Sequence, residues 1–174
     1  MTKEATVTER TDLLAALGKQ RHFLCFTTRE LTDEEARKHT TASVLCLGGL
    51  IKHVTVVERN WAQFIVTGPS ALGSFSEMTE ADWAARASEF QLLPEETLAG
   101  VLDVYAEAAS RTDELVSALP DLDVAHPLPE APWYAPGESW SARQVLLHII
   151  GETAQHAGHA DIIRESLDGA KSMG

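Results

Sequence analysis

His148-Ile-Ile-Gly-Glu-Thr-Ala-Gln-His-Ala-Gly-His-Ala-Asp-Ile-Ile-Arg-Glu165 reads as one helix, and its pattern decides the fold. At about 100° per residue, His148, Glu152, His156 and His159 fall at roughly 0°, 40°, 80° and 20°, one arc of about 80°. Ile149, Ile163 and Leu167 lie on or near that arc, so it faces a core and not water. Glu is rarely fully buried without a partner. A row of His, Glu and His on the buried side of a helix therefore points to a metal ion.

Working outward, Ser139-Trp-Ser-Ala-Arg launches this helix and Asp168-Gly169 ends it. The interval Asp121 to Glu138 before it carries four prolines and is not a regular helix. A stretch of that length without regular structure is more often a functional or covering segment than a spacer. Trp133, Tyr134 and Trp140 flank it, and either roof a pocket or fasten the loop. The preceding long helix starts at Pro94-Glu-Glu-Thr, with proline in the first turn and acids at the positive dipole end, and runs to Pro120.

Nearer the N-terminus, residues 8 to 29 keep an approximate 3.6 period through Leu13, Leu14, Leu17, Leu24 and Cys25, with Thr8 or Thr11 as cap. Thr32 with Glu35 fits a capping box and predicts a short helical turn. Thr40-Thr-Ala-Ser opens a second long helix over about Val44 to Val66, which ends before Thr67-Gly-Pro. Gly48 and Gly49 inside it each cost roughly 1 kcal/mol relative to alanine, which close helix approach would explain. Residues 68 to 78 read as a loop, and Thr79-Glu-Ala-Asp opens a short helix through Phe90. Trp61 and Trp83 read as core. No alternating apolar run, hairpin signal or repeat is present. Four long amphipathic helices, two short ones and no strand predict an all-α four-helix bundle, with residues 1–174 as one domain.

The chain has 174 residues, 14 Lys and Arg against 26 Asp and Glu, and a formal net charge of -12. Nucleic acid is excluded as a partner, because phosphate binding needs a basic cluster and none is found. An anionic membrane surface is disfavoured for the same reason, and no apolar run approaches the ~20 residues of a membrane span. Met1 to Thr11 is polar and charged, without a signal peptide. Cys25 and Cys46 each sit in an apolar helical pattern and read as buried free thiols in a reducing compartment, which points to the cytoplasm. Neither has a cationic neighbour in sequence to make it a nucleophile.

The last helix offers adjacent pairs at His148/Glu152, Glu152/His156 and His156/His159. They cannot all serve one ion, since His148 and His159 are about 16 Å apart along the axis at 1.5 Å per residue. Spacing alone leaves the level open. The second long helix holds a single histidine, His53, among Cys46, Gly49, Leu50, Val56, Val57 and Asn60 on its apolar face. His22, His39 and His126 have no partner pattern and read as incidental. No glycine-rich phosphate loop, nucleophile elbow or HExxH zinc motif is present.

The phrase Glu152-Thr-Ala-Gln-His-Ala-Gly-His-Ala-Asp-Ile-Ile-Arg-Glu165 resembles the last helix of DinB-like proteins. The resemblance is to the branch of mycothiol-dependent maleylpyruvate isomerase and the mycothiol transferases. It covers the whole chain in helix order and about forty residues in motif. It implies a four-helix bundle with a divalent metal between the second and fourth helices, held by His53, Glu152 and His156. His148 and His159 then support the site from one turn on either side. The isomerase of this family carries a further C-terminal domain, whereas this sequence runs to Gly174, just past the fourth helix.

The resemblance also implies a low-molecular-weight thiol such as mycothiol as cofactor. Two imidazoles and one carboxylate leave a dication with an open position, where a thiol loses its proton readily. Zinc is preferred, because a redox-silent ion suits a thiol; Ni2+ or Fe2+ would accept the same donors. The expected activity is metal-dependent thiol S-transfer to small electrophiles. The alternatives are a non-catalytic metal-binding or stress-response protein and a metal-dependent hydrolase. Bundles of this family often pair as homodimers through helix faces.

Overall fold

The computed structural model describes residues 8–73 and 78–172. Part of the loop expected over 68 to 78, and the last two residues, lie outside the described residues. Four long helices make the body: α1 (Glu9–Phe26), α3 (Leu47–Thr67), α5 (Leu98–Ala118) and α6 (Ala142–Asp168). Two short ones, α2 (Asp33–Ala36) and α4 (Glu80–Ser88), sit in the connections, and a 3-10 turn spans Gly68–Ala71. The fold is all-α, as the sequence predicts. α1 packs along α6, and α3 packs against both α5 and α6.

Local chemistry sets the boundaries. Thr8 caps α1 by accepting from the Thr11 amide. Thr32 with Glu35, Thr79 with Asp82, and Ser141 with Gln144 form reciprocal capping boxes at α2, α4 and α6. α6 stops at Gly169 in the left-handed conformation. Two starts differ from expectation. α3 begins at Leu47, where the Cys46 sulfur accepts from the Gly49 amide, and not at Thr40 to Ser43. α5 begins at Leu98 under a Thr97 cap, and not at Pro94, because Glu96 turns back to accept from the Leu93 amide and the Lys52 ammonium.

The strand-free expectation is corrected in one place. β1 (Ala125–Pro127) and β2 (Ser139–Ser141) pair antiparallel, with His126 opposite Trp140. A three-residue ladder is too short to leave an alternating signature. It folds the proline-rich interval into a flap closed at its base. His126, expected to be incidental, places its Nε2 3.1 Å from the Ile65 carbonyl oxygen and ties the flap to the end of α3. Gly68 is where they meet: it takes φ of 68°, and a Cβ there would lie 3.0 Å from the His126 ring.

The core has two main parts. One gathers Leu24, Leu50, Ile51, Val54, Tyr105 and Ala160; the other gathers Leu17, Trp61, Phe64, Val145 and Ile149. Between them runs a polar layer. Arg21 of α1 reaches Glu58 of α3 through Nε to Oε2 at 3.2 Å and Nη2 to Oε1 at 2.5 Å, and its Nη1 donates to Asp113 of α5 at 2.9 Å. Glu58 is fully buried. His53 stands on another side of α3, about 7.5 Å further toward its N-terminus. Trp83, expected in the core, is 52 % exposed on α4, a helix with no buried residue. Cys46 is buried, while Cys25 is only half-buried.

Candidate metal centre

α3 carries an apolar stripe toward the bundle interior, and His53 lies on it, 9 % exposed, between Leu50 and Val54. α6 faces it with Ile149, Thr153, His156 and Ala160 buried. The His53 and His156 rings meet edge to face, centroids 4.8 Å apart. Glu152, one turn before His156, brings its Oε2 to 3.7 Å from His156 Nε2. One donor atom from each of His53, Glu152 and His156 lies within 4.8 Å of the other two. Ligands about 2.1 Å from one ion are at most about 4.2 Å apart, so small rotations of the rings and the carboxylate would bring all three onto it.

The donors suit a divalent ion. Burial, then the neighbouring His53 and His159, pushes His156 down to about 4, so its imidazole is neutral at physiological pH and keeps a free lone pair. His53 Nδ1 is sealed from water with no hydrogen-bond partner, an arrangement that strains a purely structural histidine. Phe90 stacks on the His53 ring with centroids 4.1 Å apart and fixes its plane.

His53 and Glu152 also line a cleft of about 370 Å³, together with Glu89, Trp61, Tyr134 and Trp140. Trp61 and Trp140 stack at 4.9 Å and 23°. The flap thus does what the position of its aromatics suggested: Trp140 fastens it to α3, and Trp133 and Tyr134 line the cleft with it.

Against this geometry, a family model described as mycothiol-S-transferase matches residues 12–169. The chain belongs to the mycothiol S-transferase family. No curated protein and no solved structure matches it. The DinB-like branch read from the last helix is therefore the right one. Among the described residues, no helix of this mycothiol S-transferase family member is long and apolar enough to cross a membrane.

The structure brings together the three residues that the family pattern selects, and neither flanking histidine joins that cluster of mutually close donors. His148 lies against Trp61 at 4.6 Å and Trp140 at 5.2 Å, lining the cleft, and burial lowers its basicity although Glu152 opposes this. His159 puts its Nδ1 3.4 Å from His156 Nδ1, behind the ring. The sequence placed Asn60 on the face of His53, where it lines the cleft, but did not reveal Glu89 or Phe90 at the site. The one signal was Gly48-Gly49, read as close approach of a helix. The partner is instead the segment after α4: a Cβ on Gly49 would overlap the Phe90 carbonyl, and one on Gly48 would lie 2.8 Å from Leu92 Cβ.

Proposed function

We propose that this chain is a metal-dependent thiol S-transferase in which His53, Glu152 and His156 hold a zinc ion. The observation that carries the reading is the convergence of two imidazoles and a carboxylate, two of which (His53 and Glu152) line an aromatic-walled cleft, in a chain of the mycothiol S-transferase family. A bound dication supplies one thing, a lowered thiol pKa, so that a mycothiol-type cofactor reacts as its thiolate at neutral pH.

The residues of the chain do the rest. His53 and His156 give neutral nitrogens and Glu152 one negative charge, leaving a site of about +1 that attracts an anionic sulfur. Burial of both histidines keeps the dielectric low and strengthens that attraction. Trp61, Trp140 and Tyr134 offer flat apolar surface to a small electrophile beside the donors. A thiol held there would give up its S–H proton to water, and its sulfur would then bond to the electrophilic carbon as the leaving group departs with its bonding pair. The cofactor implies a cytoplasmic setting, and pairing of two copies belongs to the same proposal.

The test is elemental analysis of the purified protein, followed by assay of the zinc-loaded form with mycothiol and a panel of haloaromatic and alkyl halide electrophiles. One zinc per chain and thiol-dependent conjugate formation are expected. Metal without conjugation would favour the binding-protein reading, and thiol-independent ester or amide cleavage would favour the hydrolase.

A further inference from the structure

The segment between α4 and α5 is pressed onto the first turns of α3 by several independent contacts. Gly49 admits the Phe90 carbonyl where any side chain would collide with it. The Lys52 ammonium donates to the Ser88 carbonyl at 3.4 Å and the Gln91 carbonyl at 2.9 Å, and pairs with Glu96 at 2.7 Å. Leu92 is buried in the core against Gly48. The segment so held presents two consecutive side chains to His53. Phe90 covers its ring face, and Glu89 brings Oε2 to 3.7 Å from Nδ1.

We infer that Glu89 is a positioning residue for the metal centre, its carboxylate accepting the Nδ1–H of His53 so that Nε2 is the nitrogen offered to the ion. This rests on the proposed role of His53 as a ligand. His53 Nδ1 is buried without a hydrogen bond, and an unpaired buried donor of that kind is costly. Closing 3.7 Å to a bond of about 2.8 Å needs only a small rotation of the Glu89 carboxylate. Among the described residues, the cluster of mutually close donors contains His53, Glu152 and His156 and not Glu89, so Glu89 acts on the ring and not as a fourth ligand. A carboxylate behind a ligating histidine fixes its tautomer and raises its basicity. Phe90 fixes the plane of the same ring, so tautomer and orientation are both set by one clamped segment.

The test compares the parent with Glu89→Ala, Glu89→Gln and His53→Ala. Zinc affinity of the metal-free proteins is measured by competition with a chromophoric chelator. The His53 tautomer is read by long-range 1H–15N correlation in the metal-free state. Glu89→Ala is expected to bind zinc about 10- to 100-fold more weakly and to lose the Nδ1–H tautomer. Glu89→Gln, whose amide oxygen still accepts, is expected to restore most of both. Zinc affinity of Glu89→Ala within about twofold of the parent would overturn the inference. So would a Glu89→Gln variant as weak as the alanine, which would make the carboxylate a ligand and not an acceptor. His53→Ala separates the two proposals: if it binds zinc like the parent, the metal centre itself is wrong, whereas if it alone loses zinc, only the role of Glu89 fails.

Discussion

Arg21 and Glu58 form a two-point ion pair inside the bundle, with Glu58 fully buried and Arg21 reaching on to Asp113. The pair lies between the two parts of the apolar core. Burial alone would lower the Arg21 pKa, but hydrogen bonds to Glu58 and then Asp113 outweigh it and leave it raised. Glu58→Ala leaves a guanidinium without its main partner in the interior and is expected to destabilise by about 3–5 kcal/mol. Replacing both, as Arg21→Met with Glu58→Leu, is expected to recover most of that loss. Urea unfolding of the single and double variants measures both.

Removal of a proposed ligand separates the three family-pattern residues from their neighbours on α6. His156→Ala is expected to abolish stoichiometric zinc binding. His148→Ala is expected to retain about one zinc per chain, since His148 meets Trp61 and Trp140 and not the donor cluster. Elemental analysis after dialysis distinguishes them, and one zinc per chain in His156→Ala would move the site elsewhere.

Gly49→Ala forces a methyl group into the Phe90 carbonyl, and the α3 backbone cannot yield without shifting the clamped segment. The expected cost is about 1–3 kcal/mol, as for other overpacked positions. Thermal unfolding reads the loss. Displacement of Phe90 and Glu89 should also weaken zinc binding, whereas Gly151→Ala, at an exposed mid-helix position with open space around it, should leave zinc binding unchanged and raise stability by about 0.5–1 kcal/mol.

His126→Ala removes the bond from the flap to the Ile65 carbonyl. The expected loss of stability is modest, about 1 kcal/mol. The clearer readout is limited proteolysis, with cleavage between residues 128 and 138 rising several-fold relative to the parent, roughly in proportion to flap opening. Loss of the Trp61–Trp140 stack should change tryptophan fluorescence in parallel.

Cys25 is held in its thiol form. Burial, and then the Glu58 charge, pushes its thiol up to about 11, although Arg21 opposes this. At pH 8 its thiolate fraction is about a hundredfold below that of an ordinary thiol. Alkylation by iodoacetamide should therefore be slow at pH 8 and accelerate as pH rises toward 11. Cys25→Ser should retain any S-transfer activity, and fast labelling of Cys25 at neutral pH would contradict this.

The spacing of residues 148 to 165 and the caps Thr32, Thr79 and Ser141 were enough to read an all-α bundle, because helical period and capping are local properties of the chain. The same spacing put His148, Glu152, His156 and His159 on one inward arc. It left their level undetermined, and the family pattern chose it. Tertiary structure decided what depends on distant segments meeting. It set His53 beside His156, and His148 against two tryptophans. It bent the proline-rich interval into a flap held by a three-residue ladder, and it buried Glu58 on Arg21. Glu89 had no legible signal, because nothing in its own neighbourhood of sequence differs from a solvated helix end. Only the contact allowed by Gly49, some forty residues earlier in the chain, delivers it to the histidine.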